Sequence, residues 1–203
     1  MAYGNNQPFP NPFPDPNFPN DEKKWPSYAI FSSDRAKVVG GANLAQAQLN
    51  LANAFVQRPE FLNKYPLSLA TPQQFVDAVL ATIQNDLGVN LISERDHLIT
   101  LFNTLGRGGV IYRLADDNVQ NPINNRALID ALYNRAFVAT QYFGYLRRDA
   151  DLGGINFWLN QVNSAPLRDV NKQHAMVCSF ITSLEYQLRF SPVAPHSNND
   201  CPH

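Results

Sequence analysis

The chain has 203 residues, enough to bury a core without disulfide or metal support. With 16 Lys and Arg against 17 Asp and Glu the formal charge is -1, and no basic run follows a phosphate backbone, so nucleic acid is not an expected partner. No apolar stretch approaches the roughly 20 residues of a membrane span, and the N-terminus lacks the charged-then-apolar order of a signal peptide, so the chain as given reads as soluble; removal of a leader or preceding domains stays compatible with that.

Residues 7–26 hold seven of the 15 prolines, interleaved with Phe9, Phe13 and Phe18 and closing on Trp25. Each proline fixes φ near the polyproline value, so this stretch is expected to run extended, outside any helix or central strand. It reads as a surface wrap or linker, or as an arm that presents its aromatic side chains to a partner. The organisation expected is an extended arm and lead-in over 1–40, a helical domain over 41–190 and a polar tail over 191–203.

From about residue 41 the pattern turns helical. Thr71, Pro72 and Gln74 read as an N-cap, a first-turn proline and a capping-box Gln, ahead of Phe75, Val76, Val79, Leu80, Ile83 and Leu87 at helical spacing. Ser93-Glu94-Arg95-Asp96 opens a second helix with Leu98, Leu101, Phe102 and Leu105 on its apolar face, and Gly106 with Gly108-Gly109 is expected to stop it. Asn121-Pro122 is expected to start a longer helix carrying Leu128, Ala131, Leu132, Tyr142, Phe143 and Leu146. Val170, His174, Val177, Ile181, Leu184 and Leu188 read as a core-facing stripe on a final helix, with His174 a hydrogen-bonded core histidine. No stretch joins β-branched residues to period-two alternation. The fold expected is therefore all-α, a bundle of about six to eight helices with a proline-rich arm.

The chemistry-bearing sets are sparse. Asp149 and Asp151, followed by Gly153-Gly154, resemble the opening of a calcium loop, but the remaining ligands are missing, and Asp151 as the cap of the next helix is the preferred reading, with Trp158 then in the core. Glu94 and His97 sit three apart on one helix, as carboxylate-bridged metal sites require, without a second matching pair. His196, Cys201 and His203 share the polar tail, where adventitious metal binding is the expected reading. Asp116-Asp117 reads as a solvated helix end. No nucleophile elbow, phosphate loop or zinc-hydrolase spacing occurs. Cys178 and Cys201 fit no redox or zinc motif; a bridge pinning the tail to the last helix and a pair of free thiols both stay open.

Two short runs echo each other, Ala54 to Phe61 and Ser179 to Tyr186, each with an aromatic-aliphatic pair before an acidic-aromatic pair, which suits stacked helical units covering each other's apolar faces. Phe137-Val138, then Tyr142-Phe143-Gly144-Tyr145-Leu146-Arg147-Arg148-Asp149-Ala150-Asp151, Gly154, Phe157-Trp158-Leu159, Asn163, Phe180-Ile181, Ser183 and Glu185-Tyr186 together resemble the bacterial domain of unknown function family 4214, over about residues 126–190. The remaining helices look like the long form at the ends of secreted acidobacterial proteins. Arg148 departs from the family's usual glycine-arginine order, and the earlier half lacks the tryptophan helix. The resemblance implies an extracellular or cell-surface helical module without a general activity.

The leading reading is a non-catalytic extracellular interaction or structural module of a larger bacterial protein, with a protein or cell-surface partner, no cofactor and no membrane span, and with Phe9, Phe13, Phe18 and Trp25 as its contact residues. The alternative is a hydrolase of small esters or lactones, with Ca²⁺ held by Asp149 and Asp151 and a carboxylate or His97 as base. A third is a small-molecule binder with an apolar pocket between helices.

Overall fold

The computed structural model describes residues 27–39, 43–118 and 120–190. Among them are nine α-helices and no strand: α1 Tyr28–Val38, α2 Leu44–Phe55, α3 Pro59–Lys64, α4 Pro72–Leu87, α5 Arg95–Ala115, α6 Arg126–Gln141, α7 Leu152–Asn163, α8 Val170–Ile181 and α9 Leu184–Phe190. The all-α expectation holds. Helix begins earlier than residue 41, since α1 lies within the expected lead-in. The chain forms two compact units, residues 34–132 (the central unit) and residues 27–33 with 133–190 (the terminal unit).

The central unit is organised around α4. Thr71 Oγ1 accepts from Gln74 N (3.2 Å) while Gln74 Oε1 accepts from Thr71 N (3.2 Å), and Gly88 ends the helix at φ 69°. These caps satisfy end groups that the helix ladder cannot reach. The face they fix, Phe75, Val76, Val79, Leu80 and Ile83, is buried. It joins Leu98, Val110 and Leu114 of α5 in one core.

The start of α5 differs from the Ser93 cap expected from sequence. A 3₁₀ turn over Ile92–Glu94 precedes it, Asn90 Oδ1 accepts from Ile92 N (2.9 Å), and no side chain caps the first α-helical turn. The glycines do not stop the helix either. Gly106 alone leaves helical geometry (φ 68°, ψ -166°), and a second helical stretch continues to Ala115. Gly108 and Gly109 lie inside that stretch; a Cβ on Gly108 would come within 2.8 Å of Asn53 Cα, so its lack of a side chain lets α2 and α5 close on each other.

The helix expected from Asn121 starts at Arg126, because the asparagines before it are used elsewhere. Asn121 Nδ2 donates to Arg113 O and Asp116 O (both 2.8 Å), and the buried Asn125 donates to Leu114 O (3.0 Å) and Asp116 O (2.7 Å). They satisfy the C-terminal carbonyls of α5, which would otherwise be lost from the helix ladder.

In the terminal unit α6 passes into a π-helical turn, Tyr142–Leu146, and the chain then reverses through Arg147 at φ 48°. The core contains Val138, Tyr142, Phe143, Leu146, Ile155, Val162, Met176 and Phe180, with Trp158 packed against it edge-on to Phe180 (5.9 Å). The buried residues of α8 are Met176 and Phe180, four apart. His174 stands two residues from Met176, about 200° around the helix, and is exposed rather than in the core. The expected stripe fails for the same reason: Val170, Leu184 and Leu188 are 57%, 70% and 65% exposed.

Candidate functional site

The densest polar cluster lies where α6 gives way to α7. Asp151 takes the N-cap of α7, its Oδ1 accepting from Gly154 N (2.7 Å), as the sequence leads one to expect. Gly154 has to be glycine, since a Cβ there would fall on the Tyr142 hydroxyl. Arg148, turned inward by the reversal at Arg147, donates Nε to Glu185 Oε1 (2.7 Å) and Nη2 to Glu185 Oε2 (3.0 Å). Its Nη1 donates to Asp149 O (2.9 Å) and reaches Asp151 Oδ2 (3.4 Å). The guanidinium also lies 5.3 Å from the Tyr142 ring centre. Glu185 is held on α9, whose start is fixed by Ser183: its Oγ accepts from Tyr186 N (3.2 Å) and donates to Phe180 O (2.6 Å).

The electrostatics follow from this enclosure. Burial pushes the Tyr142 phenol well above the usual tyrosine range, with the Asp151 carboxylate adding to it. Burial alone would make Arg148 a weaker base, but the Glu185 hydrogen bonds and the charges of Glu185 and Asp151 outweigh it and raise the pKa. Asp149 Oδ1, the remaining acceptor of the loop, receives Tyr28 N (2.5 Å). The cluster thus ties a loop, two helix starts and α9 together.

Residues 119–190 match the model of a family described as Domain of unknown function (DUF4214). The resemblance read from the sequence is shown for this segment. The match begins a few residues before residue 126, and the polar cluster around Arg148 lies within it. No curated protein and no solved structure matches the chain.

Other sequence candidates fall as follows. Phe9, Phe13, Phe18 and Trp25 lie outside the described residues, as do His196, Cys201 and His203. Cys178 is disulfide-bonded. Among the described residues no group of three or more His, Cys, Asp or Glu is placed to hold a metal ion, and no helix is long and apolar enough to cross a membrane. Asp116 is used at the end of α5, accepting from Arg113 Nη1 (2.9 Å) and Asn118 N (3.1 Å), while Asp117 is exposed.

Two features of the central unit could bear on ligands. His97 Nδ1 lies 3.2 Å from Oε2 of the buried Glu94, so the carboxylate can orient an imidazole that is itself exposed. A cleft of about 350 Å³ has apolar walls from Leu51, Ala52, Phe55, Ile111 and Tyr112 and carboxylates of Asp34, Asp116 and Asp117 at its edge. Asp34 is held by two bonds from Arg58 Nη2 (2.6 and 2.7 Å) and by Lys37 Nζ (3.3 Å); burial would raise its pKa, but these cations lower it. Sequence reasoning missed Arg58–Asp34 and Arg148–Glu185, because opposite charges 24 and 37 residues apart have no local spacing that pairs them.

Proposed function

We propose that the chain is a non-catalytic interaction module of a larger extracellular bacterial protein. The observation that carries this reading is the pair Leu184 and Leu188, one helical turn apart on α9 and about two-thirds exposed or more, in the same segment whose polar residues are committed to structure. Apolar side chains on a helix face are a common means of docking a protein partner. The disulfide at Cys178 supports an oxidising compartment; we pair it with Cys201, the only other cysteine in the sequence. The aromatic arm, with Phe9, Phe13, Phe18 and Trp25, would add a second contact. The test is retention of the full chain on the cell-surface fraction of its own host. Leu184→Glu with Leu188→Glu should abolish retention while the circular dichroism spectrum stays helical; retention unchanged by both substitutions contradicts the reading.

A second reading, hydrolysis of small esters or lactones, is supported by the Glu94–His97 pair, in which a held imidazole could serve as general base. Calcium at Asp149 and Asp151 would have to displace Tyr28 N, Gly154 N and the Arg148 guanidinium, so the hydrolase reading is placed on Glu94–His97 without a metal. Turnover across an ester and lactone panel, abolished in His97→Ala and indifferent to EDTA, would establish it. The absence of turnover in the unmodified chain would remove it.

A further inference from the structure

The echo between Ala54–Phe61 and Ser179–Tyr186 is also a repeat of structure. Arg58 N donates to Phe55 O as Ser183 N does to Phe180 O (both 3.0 Å), and Leu62 N donates to Arg58 O (2.9 Å) as Gln187 N does to Ser183 O (3.1 Å). A short helix follows each turn, α3 or α9, carrying an aromatic pair one turn apart: Phe61 with Tyr65 (4.9 Å between centroids) and Tyr186 with Phe190 (4.7 Å). In this register Leu51, Phe55 and Glu60 correspond to Met176, Phe180 and Glu185.

The two copies differ in what covers them. Met176 and Phe180 are buried, Phe180 against Tyr142 (4.8 Å) and Trp158 (5.9 Å), and Glu185 takes two bonds from Arg148. Phe55 is instead 38% exposed, and it lines the cleft of about 350 Å³ together with Leu51. Glu60 is exposed and has no ion-pair or hydrogen-bond partner among the described residues. The central unit thus repeats the α8–α9 half of the terminal unit and has an open cleft where that unit places its π turn, its Arg148 loop and α7.

We infer that the Phe55 cleft and Glu60 seat a helix pair of the kind formed by residues 137–163, supplied by a partner protein that carries another unit of the same family. An aromatic side chain of that pair covers Phe55 and buries the apolar walls, and an arginine of its loop forks onto the Glu60 carboxylate as Arg148 does onto Glu185. Stacked helical units cover each other's apolar faces in this way. The surface is separate from the Leu184–Leu188 face, so either can fail without the other.

The test titrates the full chain with a fluorescent peptide of residues 137–163. Saturable binding is expected, weakened about tenfold or more by Glu60→Ala in the chain or by Arg148→Ala in the peptide, the loss that a charge-assisted pair represents. Glu60→Arg in the chain with Arg148→Glu in the peptide should restore it. Binding indifferent to Glu60→Ala would put the peptide in the terminal unit in exchange for its own copy, and overturns the inference. A second arm supplies the peptide in cis, as an extra copy of residues 137–163 joined ahead of residue 1 by a Gly/Ser linker. That chain should melt above the unmodified one, with the gain lost on Glu60→Ala. Absence of peptide binding together with absence of this gain overturns the inference, and so does a dimer of the unmodified chain that Phe55→Ser abolishes, which would make the occupant a second copy.

Discussion

Arg148 and Glu185, 37 residues apart, meet through two parallel hydrogen bonds of 2.7 and 3.0 Å. The planar guanidinium matches the carboxylate in a way that no lysine can, and the pair joins the loop before α7 to α9. A sequence motif with an arginine, two aspartates and a distant glutamate has the composition of a catalytic or metal site. Here each of these groups is satisfied by another part of the same unit.

The close approach of Gly154 and Tyr142 gives a test by repair. Gly154→Ala should cost about 2 kcal/mol or more, because the new methyl overlaps a buried hydroxyl in a close-packed site. Adding Tyr142→Phe removes that oxygen and should recover part of the loss, so the two changes should be non-additive in urea unfolding. Equal losses that simply sum would show that the glycine is not required by this contact.

Two glycines with similar open surroundings should respond oppositely. Gly106 holds φ 68° and ψ -166°, a region that L side chains avoid, so Gly106→Ala should destabilise by about 1–3 kcal/mol. Gly144 lies in the π turn with no positive φ and nothing within 4 Å of where a Cβ would stand, so Gly144→Ala should be neutral or stabilising by up to about 1 kcal/mol. Thermal melts of the two variants compare them directly.

Tyr142 predicts an alkaline limit. Its folded pKa is raised above the unfolded value, so the neutral phenol contributes stability that is fully present below about pH 10 and is lost as pH rises beyond it. Absorbance at tyrosinate wavelengths should show one phenol that ionises only on unfolding, and Tyr142→Phe should remove that late phase. A late phase that persists in the variant would assign it to another tyrosine.

The Cys178 disulfide should be detected chemically. Unreduced full chain should take up no alkylating reagent, and a peptide map should link Cys178 to Cys201. For a loop of this length, Cys178→Ser should cost up to about 3 kcal/mol. A free thiol at Cys178, or a link between chains, contradicts the pairing.

Features written in neighbouring residues were the legible ones. Thr71, Pro72, Gln74 and Gly88 bound α4 by local chemistry, and its apolar spacing predicts the face that is buried. Asp151 declares itself a cap by the same kind of local chemistry. What depends on distant partners could not be read: Gly106 kinks a helix that tertiary packing then continues, and Asn121 leaves the start of α6 to satisfy the end of α5. The α8 stripe was misplaced because Val170, His174 and Val177 share an apolar-looking row beside the true face of Met176 and Phe180. Asp149 looked like a metal ligand because its partner, Tyr28 N, is a backbone group that leaves no mark in the residue pattern.

The most direct measurement is a double-mutant cycle on Arg148→Ala and Glu185→Ala, read by urea unfolding of the full chain alongside binding and turnover. If the polar motif is structural, each single change costs about 2 kcal/mol and the double change little more, with other readouts falling only as the folded fraction falls. Single variants that keep full stability yet lose calcium binding or substrate turnover would contradict it.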